Sequence, residues 1–257
     1  MEIYQHFREE ERPFIDQVLS LQDDVEMRYQ RKETDFLDPR EQHIFESLLR
    51  NQPNLTWSLF GGSVLTERKR AIVAPEYETI TSEDFSICLL ETHYHDKFIQ
   101  LEHRDVLGAF MSLGIKREKL GDLIVQNGKI QIIVASEISD YIRMNFTAVK
   151  KANVQFAEKP FNHLMKSSEE WKTVDTTISS LRLDVVLKEI YGVSRKKASM
   201  FIEAGHVKVN FRTVEQPSYP LEEGDLLSLR GRGRSRLMEI YGTTRKDKFR
   251  VTLAKLN

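Results

Sequence analysis

The chain has 257 residues, of which 40% are hydrophobic and 30% charged, a composition typical of a globular protein with two or three domains. The single cysteine, Cys88, excludes an internal disulfide, and its position in an apolar run favours a buried residue in a reducing cytosol. No apolar window approaches the length of a membrane span, and the acidic N-terminus is unlike a signal peptide. We therefore expect a cytoplasmic protein without a membrane partner.

The net charge of −1 hides an uneven distribution of charge along the chain. From Ile178 to the end, 16 Lys and Arg stand against 9 Asp and Glu, a net charge of +7. The rest of the chain carries 22 against 30, a net charge of −8. A basic C-terminal module on an acidic body is typical of a nucleic-acid-binding protein with a separate scaffold.

Residues 1–80 are predicted to form an N-terminal helical and α/β region. Apolar residues recur at helical spacing from Phe14 to Tyr29, and Asp38-Pro39 has the N-cap and first-turn proline of a second helix. Short strands are expected at 57–60 and 71–74. The basic residues 68–70, before the second strand, fit an RNA contact and a solvated loop equally well.

Residues 81–160 show the order strand, helix, strand, strand, helix, strand. Asn127-Gly128 is a hairpin signal between the middle strands, and Ser136 can cap the second helix, to which Tyr141 and Met144 would contribute apolar contacts. This order is that of a ferredoxin-like or RRM-like domain. The aromatic motif with which RRMs stack bases is absent, so the architecture alone predicts no RNA binding here. Strands are predicted at 85–91, 122–125, 129–135 and 149–156, and helices at 104–113 and 136–145.

Residues 161–177 are predicted as a linker that ends in a strand from Trp171, and residues 178–257 as a basic domain. Apolar spacing predicts a short helix from Leu183 to Ile190, and Ser194 stands where a second helix needs its N-cap. The next three residues place cations in the first helical turn, where the helix dipole favours anions. A cluster of cations at a position that the dipole disfavours indicates that the cluster binds phosphate.

Strand and turn signals follow the basic helix. Gly205 is expected in the left-handed conformation that ends helices, and alternation of apolar and polar residues predicts a half-buried strand from Val207 to Phe211. Gly224-Asp225 is a turn before a strand at 226–229. The Arg-Gly segment 230–236 is predicted to contact RNA as an extended loop, with a flexible surface hairpin as the alternative. Closing strands are expected at 237–241 and 249–253.

This order of helix, basic helix, Gly-x-Val-x-Val-Asn strand and Gly-Asp strand resembles the S4 RNA-binding domain, of the α-L type. Phe211 stands where many S4 domains carry glycine. The resemblance implies that the two helices and the next strand present a basic surface to structured RNA, whereas an ordinary solvated face is the alternative. The predicted RNA-binding residues are Arg182, Ser194, Arg195, Lys196, Lys197, Lys208, Asn210, Arg212, Arg230, Arg232, Arg234 and Arg236.

Local matches to enzyme motifs are incomplete. His103-Arg104-Asp105 resembles the kinase catalytic triplet, but Phe110 stands where a kinase needs Asn. The His93–His95 pair lacks the Cys or spaced His partners of a metal site. The tripeptide 182–184 resembles the catalytic motif of pseudouridine synthases with S4 domains, but here it belongs to the S4 pattern itself. We therefore predict no catalytic residues, no metal and no cofactor, and structural roles for Arg104 and Asp105.

A more specific resemblance covers the middle of the chain. The segments 102–109, 113–117 and 121–125, together with Phe60-Gly61-Gly62, resemble the middle domain of YlmH-type proteins. This bacterial cytoplasmic RNA-binding family has no known catalytic activity and is associated with the cell-division gene neighbourhood and the large ribosomal subunit. There it is linked to ribosome-associated quality control of stalled peptidyl-tRNA complexes. The resemblance implies large-subunit ribosomal RNA as a partner, with tRNA as a second candidate.

The sequence thus predicts an α+β protein with N-terminal helices, an RRM-like or ferredoxin-like middle domain and a small C-terminal S4-like domain. We expect a monomeric, non-enzymatic protein that binds structured RNA. One alternative is an RNA-modifying enzyme, which would need a perturbed acid or base in a cleft near Arg104 and Asp105. Another is a protein-interaction adaptor, which would need an exposed apolar patch on the acidic body.

Overall fold

The computed structural model describes residues 7, 9–96, 99–166 and 171–256. The chain divides into two compact units, Met1–Ser167 and Ser168–Asn257. Each unit has its own apolar core, and Cys88 is buried in the first. Burial raises the pKa of the Cys88 thiol to about 11, so this thiol stays protonated and inert. Within these described ranges, no helix is both long and apolar enough to cross a membrane.

Two helices and a three-stranded sheet open the first unit. Asp38 caps α2 by accepting hydrogen bonds from the backbone N–H groups of Arg40 and Glu41, with Pro39 in the first turn, as predicted. Tyr29 does not continue the apolar face of α1, because the helix ends before it and Tyr29 takes a left-handed, exposed conformation. The elements are α1 (Arg12–Arg28), β1 (Lys32–Glu33), α2 (Pro39–Leu49), β2 (Leu55–Phe60) and β3 (Arg70–Pro75), with strand order β1-β3-β2.

Two of the basic residues at 68–70 have hydrogen-bond partners within the fold. Arg68 donates hydrogen bonds to the carbonyl oxygens of Phe36 and Leu120. Arg70 is buried and donates to the carbonyl oxygen of Thr34, while its guanidinium also pairs with Glu33. A guanidinium with five donors can satisfy several backbone acceptors at once, so these residues join segments of the fold. The possible RNA contact at 68 and 70 is therefore wrong.

The middle of the first unit has the predicted RRM-like topology. Asn127 and Gly128 both have positive φ, as the predicted hairpin between β5 and β6 requires. The antiparallel strand order is β5-β6-β4-β9, which is the order of the ferredoxin-like fold. The elements are β4 (Ile87–His93), α3 (His103–Met111), β5 (Leu120–Gln126), β6 (Lys129–Ala135), α4 (Ser139–Asn145), β7 (Ala148–Val149), β8 (Ala152–Asn153) and β9 (Ala157–Lys159).

Both faces of this sheet are buried. Leu90 and Ile132 pack on the side of α3 and α4, and the alternate residues Leu89 and Ile133 pack with Ile72 of the N-terminal sheet. The second face is the one on which RRMs stack bases. Because the N-terminal region covers it, this sheet offers no base-stacking platform, in agreement with the missing aromatic motif.

The last strand and second helix of this domain differ from prediction. The strand expected at 149–156 is instead the small β7–β8 hairpin, in which Lys150 turns with positive φ, and β9 follows it as the edge strand. Ser136 begins a short 3-10 turn and caps no helix. Tyr141 and Met144 are exposed, because the short α4 reaches the core through Ile142 alone.

The predicted linker 161–177 carries regular structure at both ends. Phe161–His163 is a 3-10 turn, and the Phe161 ring packs 6.2 Å from the ring of Phe60. Residues 167–170 lie outside the described ranges. Trp171–Ile178 is a full strand, β10, paired with the last strand of the chain.

The second unit is a six-stranded antiparallel sheet with two helices on one face. Leu187 of α5 and Ile202 of α6 pack against Leu227 and Leu237 of the sheet. The expected strand to Phe211 ends at Val209, since Asn210 and Phe211 form a tight turn with positive φ. The elements are α5 (Leu183–Tyr191), α6 (Arg195–Glu203), β11 (Val207–Val209), β12 (Arg212–Thr213), β13 (Leu226–Leu229), β14 (Gly233–Thr243) and β15 (Phe249–Leu256), with order β10-β15-β14-β13-β11-β12.

The Arg-Gly segment is not an extended loop. Residues 230–232 turn the chain, with Gly231 at φ 76°, and β14 begins at Gly233. Arg234 and Arg236 therefore lie within a strand. The alternating small residues suit the tight turn and close strand pairing, so the pattern that suggested a loop reflects a β-hairpin.

Candidate nucleic-acid interface

The N-terminus of α6 has the predicted capped geometry. Ser194 is extended, and its hydroxyl oxygen accepts a hydrogen bond of 3.2 Å from the backbone N–H of Lys197. Arg195, Lys196 and Lys197 are all exposed in the first turn. The free backbone N–H groups, the positive end of the dipole and three cations together make this end of the helix attractive to anions.

A buried carboxylate lies beneath this cluster. Asp184 on α5 is 2% exposed and accepts two hydrogen bonds from Arg182, at 3.0 and 3.1 Å, and one from Nε of Arg195, at 2.8 Å. Burial raises the pKa of Asp184, but the hydrogen bonds and charges of the two arginines outweigh it, so the pKa lies below its ordinary value. Arg195 therefore also ties α6 to α5.

Sequence reasoning missed Asp184 as a member of the site. An acidic residue on an otherwise apolar helical face, two residues after Arg182, was a signal that could have found it. The Asp184 carboxylate neutralises part of the positive charge that was predicted to bind RNA. Lys196 and Lys197 have no such partner within the part of the chain that the structure describes.

The predicted strand and hairpin residues lie on a different side of this unit. The side chains that face the helices include Val207, Val209 and Leu237. Because successive residues of a strand point to opposite faces, the other face carries Lys208, Arg234 and Arg236. The structure thus divides the predicted residues into a helical surface (182 and 194–197) and an outer sheet face (208, 234 and 236). The remaining predicted cations are all exposed. One, Arg212, lies on the edge strand β12, and the other two, Arg230 and Arg232, lie in the turn between β13 and β14.

Asn210 has a structural role. Its side-chain nitrogen donates to Asp225 at 2.7 Å, and its oxygen accepts from the backbone N–H of Leu226 at 2.9 Å. These bonds fasten the turn after β11 to the start of β13. The amide is therefore less available to RNA than the sequence suggested.

Three arginines of the hairpin lie over aromatic rings. The guanidinium carbon of Arg232 is 5.9 Å from the ring centre of Phe201, that of Arg234 is 5.7 Å from Phe211, and that of Arg236 is 5.3 Å from Trp171. At such distances the negative face of the ring attracts the guanidinium charge. The aromatic partners were not predicted, because the residues of each pair are far apart in sequence.

The residues that resembled enzyme motifs have structural partners. Asp105 accepts hydrogen bonds from the backbone N–H of Glu102 and from Lys150, at 2.9 and 2.6 Å. The Lys150 hydrogen bond is the main reason that the pKa of Asp105 lies below its usual value, so this carboxylate is a poor base at neutral pH. No group of three or more His, Cys, Asp or Glu in the described ranges could hold a metal.

Comparisons with known proteins divide the chain in a similar way. Residues 81–163 match the family model of the RNA-binding domain in YlmH, and residues 181–227 match the S4 domain. The chain is 42% identical, over 99% of its length and 98% of the relative's, to ribosome-associated protein quality control protein P2 of Bacillus subtilis. It is similar, with a TM-score of 0.55 and 30% identity, to the cell division protein ylmH from Streptococcus pneumoniae, covering 63% of this chain and 99% of that one.

A further similarity covers only about a third of the chain. Small ribosomal subunit protein uS4 of Lachnospira eligens is 34% identical over 94 residues, which are 34% of this chain and 48% of the relative. The uS4 protein of Thermus thermophilus is 28% identical over 103 residues, or 38% of this chain and 49% of that protein. These partial matches are those of a domain shared between otherwise different proteins.

Proposed function

Because this chain belongs to the YlmH family of RNA-binding proteins, we propose that it acts without catalysis on the large ribosomal subunit, where it binds structured ribosomal RNA and tRNA. The process would be ribosome-associated quality control in the bacterial cytoplasm, in line with the name of the Bacillus subtilis relative. The name of the Streptococcus pneumoniae relative supports cell division as a second process in which the protein would act. We propose that the protein works as a monomer.

The observation that carries this proposal is the capped, cationic first turn of α6. Backbone N–H groups at a helix N-terminus bind phosphate oxygens, and Lys196 and Lys197 are exposed beside them. Arg182 and Arg195 are fixed by Asp184, so their guanidinium groups are held in place before RNA arrives. Preorganised cations lose less conformational entropy on binding than free ones.

Two observations support a binding role over the alternatives. The enzyme alternative needed an available base near Arg104, but Asp105 is held by Lys150 and the N-cap of α3. The adaptor alternative needed a continuous apolar patch on the first unit. There the exposed large apolar side chains are spread over several elements, including the end of α1 (Met27 and Tyr29), the loop after β2 (Val64 and Leu65) and α4 (Tyr141 and Met144). One or two such residues on an element are a small surface compared with the patches that mark protein interfaces.

Crosslinking and sequencing of the RNA recovered from cells would test the proposal. We expect crosslinks to large-subunit ribosomal RNA and to tRNA, with the crosslinked peptides covering 182–197. A parallel sample of the Lys196→Gln/Lys197→Gln variant should yield fewer of these crosslinks. Crosslinks confined to messenger RNA, or none above background, would contradict the proposed target.

A further inference from the structure

The outer face of the C-terminal sheet carries a row of cations. Lys208 on β11 pairs with Ser228 on β13, which pairs with Arg234 on β14, so these side chains share one face. Arg236 lies two residues further along β14 on the same face. Since neighbouring strands are about 4.8 Å apart, Lys208 and Arg234 start about 10 Å apart across the sheet. The row is separate from the helical surface, which lies on the other side of the sheet.

Two of these cations are held by aromatic rings at the same face. Arg234 lies over Phe211, and Arg236 lies over Trp171, with guanidinium-to-ring distances of 5.7 and 5.3 Å. A guanidinium that lies over a ring has a second planar face, which points away from that ring. Unpaired RNA bases stack on arginine planes and aromatic rings, and the guanidinium edge suits phosphate oxygens.

The backbone at Phe211 has a positive φ, which is rare for a bulky residue. Asn210 and Phe211 have φ values of 47° and 67°, in a two-residue turn where glycine would adopt the second position without strain. A bulky residue in the left-handed region costs roughly 1–2 kcal/mol. Strain of this kind is concentrated at functional sites, and here it places an aromatic ring beneath Arg234.

The partial burial of Arg236 costs free energy in the isolated chain. Its Nε is buried without a hydrogen-bond partner. In contrast to Arg182 and Arg195, which share Asp184, neither Lys208 nor Arg236 pairs with a carboxylate among the described residues. These two cations are therefore available to an external anion.

The opposite end of the same face carries charges of both signs. Thr252 on β15 pairs with Asp175 and with Glu239 on the neighbouring strands, which places both carboxylates on the outer face. Arg250, two residues before Thr252 on the same strand, lies on this face as well. The carboxylates lie away from the three cations of the hairpin end, so a polyanion is attracted most strongly there.

From these observations we propose that the outer sheet face is a second RNA-binding surface, which takes an unpaired RNA segment. Lys208, Arg234 and Arg236 would contact phosphates, and the two arginine–aromatic pairs would stack bases. The stacked pairs favour RNA over an acidic peptide, which would use the charges alone. This inference rests on the proposed RNA-binding function and adds to it a surface that recognises single-stranded RNA.

The test uses the full-length chain and two labelled RNAs, an oligouridine of about 12 nucleotides, within the usual site size, and a blunt hairpin. The sheet variant is Lys208→Gln/Arg234→Gln/Arg236→Gln, and the matched control is Lys196→Gln/Lys197→Gln on the helical surface. We expect the sheet variant to lower affinity for oligouridine at least ~10-fold and to leave hairpin affinity within ~3-fold. The control should show the reverse preference.

The Phe211→Gly variant tests the outer sheet face without removing a charge. Glycine relieves the strained turn, so the melting temperature should not fall, whereas affinity for oligouridine should fall at least ~3-fold because the ring is lost. Loss of affinity together with a stable fold separates a binding role from a packing role.

The outcomes distinguish failure of the proposed function from failure of the second RNA-binding surface. If the parent chain binds neither RNA, the proposed function fails. If the parent binds both and the sheet variant and Phe211→Gly bind oligouridine like the parent, only the second surface is overturned. Displacement of the hairpin, but not of oligouridine, by excess unlabelled hairpin would support two surfaces. Displacement of oligouridine by oligoglutamate as readily as by unlabelled oligouridine would assign the face to a protein partner and overturn the inference.

Discussion

At the scale of single residues, Asp184 gives part of the basic cluster a structural role in the free protein. Arg195 was predicted as an RNA contact in a helical turn where the dipole disfavours cations. Its 2.8 Å bond to a buried carboxylate gives it a role in the free protein as well. A cation that opposes the helix dipole can therefore stabilise the domain through another partner, since hydrogen bonds to charged groups contribute more than the dipole effect.

This contact separates Arg195 from the lysines that follow it. Arg195→Ala should lower the free energy of unfolding by about 1 kcal/mol, because Arg182 still pairs with Asp184 and Arg195 is more than half exposed. Lys196→Ala/Lys197→Ala should change it by less than ~0.5 kcal/mol. Urea denaturation of the two variants measures both values. Equal stabilities would show that the Arg195 contact contributes nothing in solution.

The same carboxylate predicts a pH dependence. The pKa of Asp184 is lower in the folded state than in the unfolded chain, so its contribution is present above the unfolded pKa. This contribution is lost as pH falls through the folded pKa. The stability difference between the parent and Asp184→Asn should therefore be largest near neutral pH and shrink in acid. A difference that stays constant from neutral to strongly acidic pH would exclude this ion pair as its source.

Asp105 is predicted to be structural. Asp105→Asn should reduce the free energy of unfolding by about 1 kcal/mol, because it weakens the cap of α3 and the contact with Lys150. RNA affinity should stay within about threefold of the parent, or ~0.7 kcal/mol. Thermal melting and RNA titration of one preparation check both. If an RNA modification disappeared while fold and affinity remained, the site would be catalytic.

At the scale of elements, α6 is the part of the fold where helix geometry and charge act together. Lys196→Gln/Lys197→Gln should weaken binding of a structured RNA about 10-fold, since two phosphate contacts are lost. Glu9→Lys, on the body, is the control for a change in total charge and should not weaken binding. Glu11 is unsuitable as a control, because it pairs with Arg40 at 2.9 Å and is largely buried. Titration of one hairpin RNA with all three proteins gives the comparison.

At the scale of the whole molecule, the chain is almost neutral, but its C-terminal 80 residues carry a net positive charge and the rest a net negative one. If about five phosphates are neutralised, affinity for structured RNA should fall ~10²-fold or more between 50 and 200 mM salt. The slope for structured RNA should be reduced in the helical-surface variant Lys196→Gln/Lys197→Gln, because each phosphate contact contributes separately. Binding measured across this salt range gives the number of contacts. A flat response would indicate a mode dominated by stacking or a protein partner.

The sequence determined the secondary structure wherever a local rule was sufficient. Asp38-Pro39, Ser194 and Asn127-Gly128 were predicted as caps and turns because such signals act over three or four residues, and each has the expected geometry. The RRM-like order and the S4 pattern followed from the spacing of these elements. Errors arose at Ser136, Phe211 and the strand expected at 149–156, where apolar spacing fits more than one local conformation.

Tertiary structure alone decided what each cation contacts. In the sequence, Arg68, Arg70 and Arg195 cannot be told from Lys196, since all stand in short basic runs. In the structure, Arg68 and Arg70 donate to backbone oxygens and Arg195 to a carboxylate on another helix. Arg236 in turn lies over an aromatic ring of a strand that is distant in sequence. The division of the basic residues between a helical surface and an outer sheet face arises in the same way, because strand register fixes the side to which each residue points.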